Sequence, residues 1–273
     1  MQTPPAEFNQ LRSLSRWIGS TPSLVQGPGG NTSIKDKDFL WVKSSGTKLM
    51  DAETSEIFVS LNRRTGLPSP AHQIQKSSIE TKLHLLINAP VVVHIHSTIS
   101  LIAGFREDLE ELLERFGRTV VVPYRRPGNL LADELVKLVD TSIHDFAILR
   151  NHGLLVWGNS VEETWARVLR FESEFSKVVM YSQSDLNEAK RLLRRGDLSK
   201  YLTPDHAVFL DSQRLESIED LQFESNWMKQ MYDQLCIVLA SSLHSPNLSW
   251  LDKDEVQGLQ NWEAEKVRKD SNN

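Results

Sequence analysis

Two histidines, His94 and His96, end the valine-rich run 91–96, which is typical of a β-strand. Because side chains alternate along a strand, both imidazoles are expected on one face of a sheet. A third histidine, His152, lies between an asparagine and a glycine, in a turn that separates two other apolar runs. Three neutral ring nitrogens on a rigid sheet are a ligand set that zinc uses when it keeps a position open for substrate. The sequence therefore indicates a zinc site.

Each of these histidines also has an ordinary explanation. A His-x-His pair in a strand is often a core or surface feature that binds no metal. His152 could simply occupy a hairpin turn, because its neighbours favour a sharp bend. The third histidine at a strand end, where functional residues are commonly mounted, favours the metal-site interpretation over these alternatives.

Glu80 is a possible acid/base partner for such a site, but it has two interpretations. The residues alone favour a capping box, with Ser77 as helix N-cap and Glu80 three residues later. The alternative is a general base, since a carboxylate beside a divalent cation can take a proton from a carbon next to a carbonyl. His84, one helical turn later, is expected to pack or to support the site rather than bind the metal.

Three segments of the chain expose backbone N–H groups. They are the glycine loop at residues 27–31, the turn at Ser45 and Gly46, and the helix start at Ser78. Each could cradle an anion such as phosphate, and each could equally do no more than turn the chain.

These residues must be positioned by interleaved helices and strands, a pattern that predicts the α/β class. Apolar periodicity predicts helices over residues 8–18, about 79–87, about 107–115, around 131–139, 160–179 and 218–243, and strands over 39–42, 57–61, 91–97, 120–122, 146–149, 154–157 and 207–210. The helices at about 79–87 and about 107–115 each precede a strand. Strands 39–42 and 57–61 are expected to be antiparallel neighbours. Ser160 and Glu163 predict a capping box on the longest helix.

The composition favours small-molecule chemistry. The chain has 273 residues, of which 40% are hydrophobic and 25% charged, as in ordinary globular proteins. A net charge of -5 argues against a nucleic-acid surface. The single cysteine, Cys236, excludes a disulfide framework and fits a reducing cytoplasm. The first residues lack the features of a secretory signal, and no apolar run approaches the roughly 18 residues that span a bilayer, so no membrane association is expected.

An ordered set of motifs carries a resemblance to a known family. The motifs are Gly29-Gly30-Asn31-Thr32-Ser33, Ser45-Gly46-Thr47, Ser78-Ile79-Glu80-Thr81-Lys82-Leu83-His84, His94-Ile95-His96-Ser97, Tyr124 with Pro127-Gly128, and Asn151-His152-Gly153-Leu154. In this order the chain resembles the class II aldolase/adducin family over about residues 10–182.

The resemblance implies a fold and an assembly. The fold is a three-layer α/β/α arrangement around a mainly antiparallel central sheet. We expect residues 1–210 to form this class II aldolase-like domain and residues 211–273 to form a helical C-terminal extension packed on it. Family members are usually homotetramers with active sites at subunit interfaces, so a homotetramer is expected here.

The resemblance also implies roles for individual residues. The expected ligands of Zn²⁺ or another divalent cation are His94, His96 and His152. Glu80 becomes the acid/base carboxylate, and Tyr124 a second catalytic residue near the site. The substrate or phosphate pocket is expected to be lined by Gly30, Asn31, Ser45, Gly46 and Ser78.

The implied activity is that of a metal-dependent aldolase, a carbon–carbon lyase of carbohydrate metabolism. It would act on a ketose or ketose phosphate through a zinc-stabilised enediolate. The alternatives are an epimerase, dehydratase or decarboxylase that uses the same site, or a non-catalytic, adducin-like assembly module.

The sequence departs from the family pattern at two places. Ile79 occupies a position where many phosphate-binding members have a second serine, which removes a hydroxyl donor and puts phosphate binding in doubt. The link at residues 88–90 is shorter than in fuculose-phosphate aldolases. The chain is more similar to the aldolase part of larger rhamnulose-phosphate aldolase/dehydrogenase proteins.

Overall fold

Seven strands form one sheet in the centre of the fold. They are β1 (Asn31–Lys35), β2 (Phe39–Lys43), β3 (Phe58–Asn62), β4 (Val91–Ile95), β5 (Thr119–Val122), β6 (Phe146–Leu149) and β7 (Gly153–Gly158). Their order across the sheet is β3-β2-β1-β4-β7-β6-β5. The pairing of β5 with β6 is parallel, whereas the other pairings are antiparallel. The sheet is therefore mixed, because one of its six pairings is parallel and the other five are antiparallel.

Ten α-helices surround this sheet in the part of the chain that the structure describes. They are α1 (Phe8–Gly19), α2 (Thr81–Leu86), α3 (Thr98–Gly104), α4 (Leu109–Phe116), α5 (Asn129–Leu138), α6 (Val161–Glu174), α7 (Gln183–Arg194), α8 (Pro204–Phe209), α9 (Asn226–Ser242) and α10 (Lys253–Asn261). The structure is a computed structural model, and its described residues are 3–69, 76–194, 201–210, 223, 225–262 and 266. Within those ranges no helix is both long enough and apolar enough to cross a bilayer.

Strand β4 shows how the two faces of the sheet are covered. Val91 and Val93 point into the larger core, to which α1, α3, α6 and α9 contribute. Val92 points the other way, into a second core formed with α2 and α5. Helices therefore cover both faces, and the predicted three-layer α/β/α fold is confirmed. By alternation, His94 lies on the same face as Val92, beside α2.

One predicted strand is wrong, because residues 204–209 form helix α8. Thr203 is its N-cap, with Oγ1 accepting a hydrogen bond from the backbone N–H of His206 at 3.1 Å. Pro204 occupies the first turn, where its missing N–H costs nothing. These two local signals outweigh the strand-like composition of residues 207–210.

Two predicted helix boundaries also need correction. Helix α6 ends at Glu174 instead of residue 179, and a short 3₁₀ helix, Ser176–Val178, follows it. Helix α9 begins at Asn226, and residues 218–222 of the predicted helix lie outside the described residues. The capping box of α6 is confirmed at Ser160, whose Oγ accepts from Glu163 N at 3.1 Å.

Strand β1 was not predicted, although it lies in the middle of the sheet between β2 and β4. Its residues Asn31, Ser33 and Lys35 are buried and polar, so the strand lacks the apolar alternation on which the prediction depends. All three bond to Glu80 or α2: Asn31 to Glu80, Ser33 to His84, and Lys35 to the carbonyls of His84 and Ile87.

Gly153 allows β4 and β7 to approach each other beside the histidines. A Cβ at this position would lie 2.2 Å from Ile95 O and 3.1 Å from the Cα of His96. We expect Gly153→Ala to force the strands apart and to lower the free energy of unfolding by about 2 to 4 kcal/mol, as measured by urea unfolding. Gly104→Ala is the control, because its Cβ would meet only Ile148 Cγ2 at 3.8 Å. Equal stability of the two variants would contradict the prediction.

Candidate metal centre

The structure brings the three predicted histidine ligands together. His94 lies near the end of β4, His96 just beyond it, and His152 in the turn between β6 and β7. All three are buried. Their ring centroids are 4.9 Å apart for His94 and His96, 4.8 Å for His94 and His152, and 5.1 Å for His96 and His152. The side chains that the strand pattern placed on one face therefore form a single cluster.

The hydrogen bond of His94 determines which of its ring nitrogens faces the cluster. Nδ1 lies 3.1 Å from the carbonyl oxygen of Leu154. A carbonyl can only accept, so Nδ1 carries the proton and Nε2 keeps its lone pair. Burial lowers the pKa of His94 to about 4, which keeps the ring neutral at pH 7. Its Nε2 lies 3.1 Å from Nε2 of His96.

The turn that carries His152 has an unusual backbone. Asn151 has φ of 57°, in the left-handed region that asparagine tolerates better than most residues. His152 N donates to Leu149 O at 3.1 Å, which closes the turn. The ring thereby points at Glu80, with Nε2 3.2 Å from Oε1.

Glu80 faces the histidines, and the capping-box interpretation of this residue is wrong. Helix α2 begins at Thr81, and the structure shows no side-chain cap at its start. The predicted cap, Ser77, pairs instead with Ser44 in an isolated β-bridge. Oε2 of Glu80 accepts from Asn31 Nδ2 at 2.9 Å and lies 3.4 Å from His94 Nε2.

The charge state of Glu80 results from opposing effects. Burial alone would raise the pKa of this carboxyl group, whereas His94, His152, His96 and the amide of Asn31 lower it. The net result is a pKa below the ordinary value, so the side chain is an ionised carboxylate. An anionic oxygen beside imidazole nitrogens suits both cation binding and proton transfer.

A hydrogen-bonded chain holds Glu80 in place. Because the amide nitrogen of Asn31 donates to Glu80, its oxygen must face Nε2 of His84 and accept a hydrogen bond from it. Nδ1 of His84 then accepts from the hydroxyl of Ser33 at 2.7 Å. Burial lowers the pKa of His84 to about 3, so the ring is neutral. His84 is thus placed to support Glu80 rather than to bind a metal.

The loops expected to bind substrate lie next to one another. Lys43 Nζ donates to Pro28 O in the glycine loop at 2.9 Å and to Thr47 O at 2.7 Å. Ser45 N donates to Lys76 O at 2.8 Å, which joins the turn to the segment before α2. The three backbone loops therefore surround one region of the structure.

Contacts of the glycine and serine residues connect this region to the histidines. Gly30 has φ of 62°, and a Cβ there would lie 2.9 Å from His94 O. Gly46 also has a positive φ, of 78°. Ser78 is buried, and its Oγ accepts from Glu80 N at 3.3 Å. The glycine loop and Ser78 thus lie next to the cluster.

Tyr124 is not part of the four-residue cluster. Its hydroxyl donates to Glu255 Oε1 at 2.9 Å, and Arg126 binds the same carboxylate. Burial raises the pKa of Tyr124 above its ordinary value, and the charge of Glu255 raises it further. The phenol is therefore protonated and bonded to α10.

Asp205 is a site residue that the sequence analysis missed. Its Oδ2 lies 2.8 Å from Nδ1 of His96, and both side chains are buried. Gln234 on α9 donates to the backbone oxygen of His96 at 2.6 Å. The helix-start residues before Asp205 could have revealed α8, but no local signal connects this segment to His96.

His206, next to Asp205, makes stability depend on pH. Its buried ring accepts from Leu202 N at 3.2 Å, and burial lowers its pKa to about 3. As the pH falls below about 6.5, this histidine binds a proton in the unfolded chain, whereas in the folded protein it stays neutral down to about pH 3. The free energy of unfolding that the neutral ring contributes is therefore lost as the pH falls from 6.5 towards 3. Asparagine keeps a hydrogen-bond acceptor but does not titrate. In that pH range the free energy of unfolding of His206→Asn is therefore expected to fall by up to about 1 kcal/mol per pH unit less than that of the wild type.

Urea unfolding of both proteins at pH 7, 6, 5 and 4 measures this difference. If the free energies of unfolding of the wild type and His206→Asn decrease in parallel, the buried neutral histidine is not the cause.

The donor set fits a divalent cation. The ligand atoms of Glu80, His94, His96 and His152 all lie within 4.8 Å of one another. Within the described part of the chain, the buried Oε1 of Glu80 accepts no hydrogen bond. Imidazole nitrogens combined with a carboxylate oxygen suit zinc and similar divalent metals. The described residues thus form a cluster able to bind a metal ion.

Comparison with known proteins identifies relatives with low sequence identity. An uncharacterized oxidoreductase, YuxG, of Bacillus subtilis (strain 168) is 26% identical over 205 residues, which is 64% of this chain but only 30% of that relative. A methylthioribulose-1-phosphate dehydratase of Citrobacter koseri is 28% identical, over 59% of this chain and 88% of that protein. An L-fuculose phosphate aldolase of Methanocaldococcus jannaschii is 27% identical, over 55% of this chain and 83% of that protein.

A solved structure and a family model agree with these matches. The N-terminal class II aldolase domain of a conserved protein from Thermoplasma acidophilum is similar with a TM-score of 0.55 and 26% identity, covering 66% of this chain and 97% of that one. The model of the family described as Class II Aldolase and Adducin N-terminal domain matches residues 9–176, more than half of the chain. The match includes Glu80 and all three histidines of the cluster. The chain therefore belongs to the class II aldolase/adducin family.

Proposed function

We propose that this protein is a metal-dependent lyase that acts on a ketose or ketose phosphate, with aldol cleavage as its reaction. The observation that carries the proposal is the buried convergence of three imidazoles on one carboxylate, Glu80, whose Oε1 accepts no hydrogen bond from any residue that the structure describes. The presence of all four residues argues against a non-catalytic assembly module, which would have no use for them.

His94, His96 and His152 would hold the cation, which we propose to be zinc. When bound, such an ion supplies Lewis-acid stabilisation of the negative charge that develops on substrate oxygens. Glu80 would move the proton at the carbon next to the substrate carbonyl. Asn31, which is itself held by His84, keeps this carboxylate in one orientation.

The substrate class is proposed from the loops and from the relatives. Two of the relatives are named for activities on sugar phosphates, and the glycine loop and Ser78 lie beside the cluster. Ile79 lacks the hydroxyl that would help to bind a phosphate. Unphosphorylated ketoses are therefore included in the proposal.

Dehydration is the second candidate reaction, because the relatives include methylthioribulose-1-phosphate dehydratases as well as aldolases. Dehydration begins with loss of a proton from the carbon next to the carbonyl, and cleavage ends with return of a proton to that carbon, so the same carboxylate could serve either. They differ in what leaves: a carbonyl fragment in cleavage and water in dehydration.

Incubation of zinc-loaded protein with a panel of ketose phosphates and free ketoses tests the proposal. Mass spectrometry of the products separates two shorter carbonyl compounds, expected for an aldolase, from one product lighter by a water molecule. His152→Ala serves as the inactive control. Turnover that is equal in wild type and His152→Ala, or absent for every substrate, would contradict the proposal.

Location and assembly are further proposals. The buried single cysteine, Cys236, and the acidic net charge support a cytoplasmic protein that binds neither nucleic acid nor membrane. We propose a homotetramer with active sites at subunit interfaces, as the family resemblance implies. Light scattering of the purified protein gives the molar mass of the assembly and so tests this. We also keep the division at residue 210, between the aldolase-like domain and a C-terminal extension, as a proposal.

A further inference from the structure

A carboxylate from outside the family region reaches the cluster. The family model ends at residue 176, whereas Asp205 lies on α8. Its Oδ2 is 2.8 Å from Nδ1 of His96, the ring nitrogen on the far side from Nε2. Asp205 is 5% exposed and His96 is 6% exposed, so solvent screens this contact very little. The pair is thus placed to affect the metal centre.

Gly29 of the glycine loop lies so close to Asp205 and His96 that any side chain on it would collide with both. A Cβ on Gly29 would lie 2.9 Å from Asp205 Oδ2 and 2.9 Å from His96 Nδ1. The backbone of Gly29 does not have a positive φ, so the close approach itself explains the glycine. The pair is therefore enclosed between α8 and the glycine loop.

Hydrogen bonds attach the segment that carries Asp205 to the metal-binding loops. Asn151, adjacent to His152, donates through Nδ2 to Leu202 O at 3.0 Å. Gln234 donates to the backbone oxygen of His96 at 2.6 Å. Both histidine-bearing segments are thus bonded to residues beyond the family region, which fixes the position of Asp205 relative to the cluster.

We propose that Asp205 is a positioning residue for His96 and increases the affinity of the site for its cation. A carboxylate can only accept, so next to it a neutral His96 would carry its proton on Nδ1 and would leave the lone pair of Nε2 for the metal. A carboxylate on the second ring nitrogen also makes an imidazole a stronger ligand. The inference rests on the proposed function, because it takes His96 to be a metal ligand.

Metal affinity measured directly tests this role without an activity assay. Zn²⁺ binding is followed by competition with a chromophoric chelator, and Co²⁺ binding by its visible absorption spectrum. Asp205→Asn is expected to weaken binding of both ions by about 10–100-fold. At saturating Co²⁺ its spectrum should differ from that of the wild type, because the ring of His96 is no longer held in one orientation. The matched control is Asp233→Asn, the same change in an exposed ion pair of α9, which should bind as the wild type does.

A second variant covers the case in which Asp205→Asn does not fold. Gly29→Ala introduces a methyl group between the two partners while leaving Asp205 in the chain, and it is also expected to weaken metal binding at least about 10-fold. Circular dichroism and thermal unfolding of the metal-free proteins show which variants are folded and can be compared.

His94→Ala separates failure of this inference from failure of the proposed function. If His94→Ala loses metal while folded Asp205→Asn and Gly29→Ala bind with wild-type affinity and spectrum, the role of Asp205 is refuted and the metal centre stands. If His94→Ala binds as the wild type does, both proposals are wrong. Loss of affinity in His94→Ala and in the variants of the pair, with Asp233→Asn unchanged, supports both.

Discussion

Glu80→Gln is expected to lower turnover by about 10²–10⁴-fold while the protein continues to bind its metal. Glutamine keeps the size of the side chain and an oxygen for the amide of Asn31, but it cannot carry a proton to or from a substrate carbon. The three imidazoles that would hold the cation are unchanged. Product formation measures turnover, and element analysis of the same samples measures metal content. Turnover should fall while metal content stays at the wild-type level.

The control for this variant is Glu163→Gln, which makes the same chemical change in an ion pair with Arg167 on α6. It should retain wild-type turnover. Full turnover of Glu80→Gln would eliminate the acid/base role, whereas loss of both turnover and metal would make Glu80 a ligand instead.

His152→Ala is expected to weaken metal binding by more than about 100-fold, because a missing ligand costs more than the 10–100-fold lost with a supporting residue. The variant removes one of three ring nitrogens and deprives Glu80 Oε1 of the imidazole that lies 3.2 Å away. Element analysis after dialysis should find near-stoichiometric metal in the wild type and little in the variant.

The matched control is His244→Ala, which removes an exposed histidine that contacts Asp185 on α7. It should keep the metal content of the wild type. Equal metal in His152→Ala and His244→Ala would show that the ion binds elsewhere, and no metal in the wild type would contradict the site altogether.

The sequence predicted those elements of the fold that depend on apolar patterns. Strands β4, β6 and β7 consist mainly of aliphatic residues that fill the two cores on either side of the sheet, and the pattern located them. Strand β1 escaped prediction for the opposite reason. Its residues Asn31 and Ser33 bond to Glu80 and His84 instead of filling an apolar core. The strand therefore lacks the apolar alternation by which a strand is predicted from sequence.

The four residues of the cluster were predicted from the motifs, whereas contacts between residues distant in the chain were missed. Glu80 satisfies a local capping pattern, and only its contact with Asn31, 49 residues away, shows that the pattern is not used. Asp205 lies far along the chain from His96, and its surroundings read as a turn followed by a strand. Helix α8 and the folded positions of α9 and the glycine loop were needed to place that carboxylate on the imidazole.

Zinc-edge anomalous diffraction from crystals of the zinc-loaded protein tests the central claim most directly. Data recorded on both sides of the absorption edge locate the ion without reference to activity. We expect one strong peak enclosed by Nε2 of His94, His96 and His152, on the side that faces Glu80. A zinc-loaded crystal with no peak there, or with its peak at other residues, would contradict it.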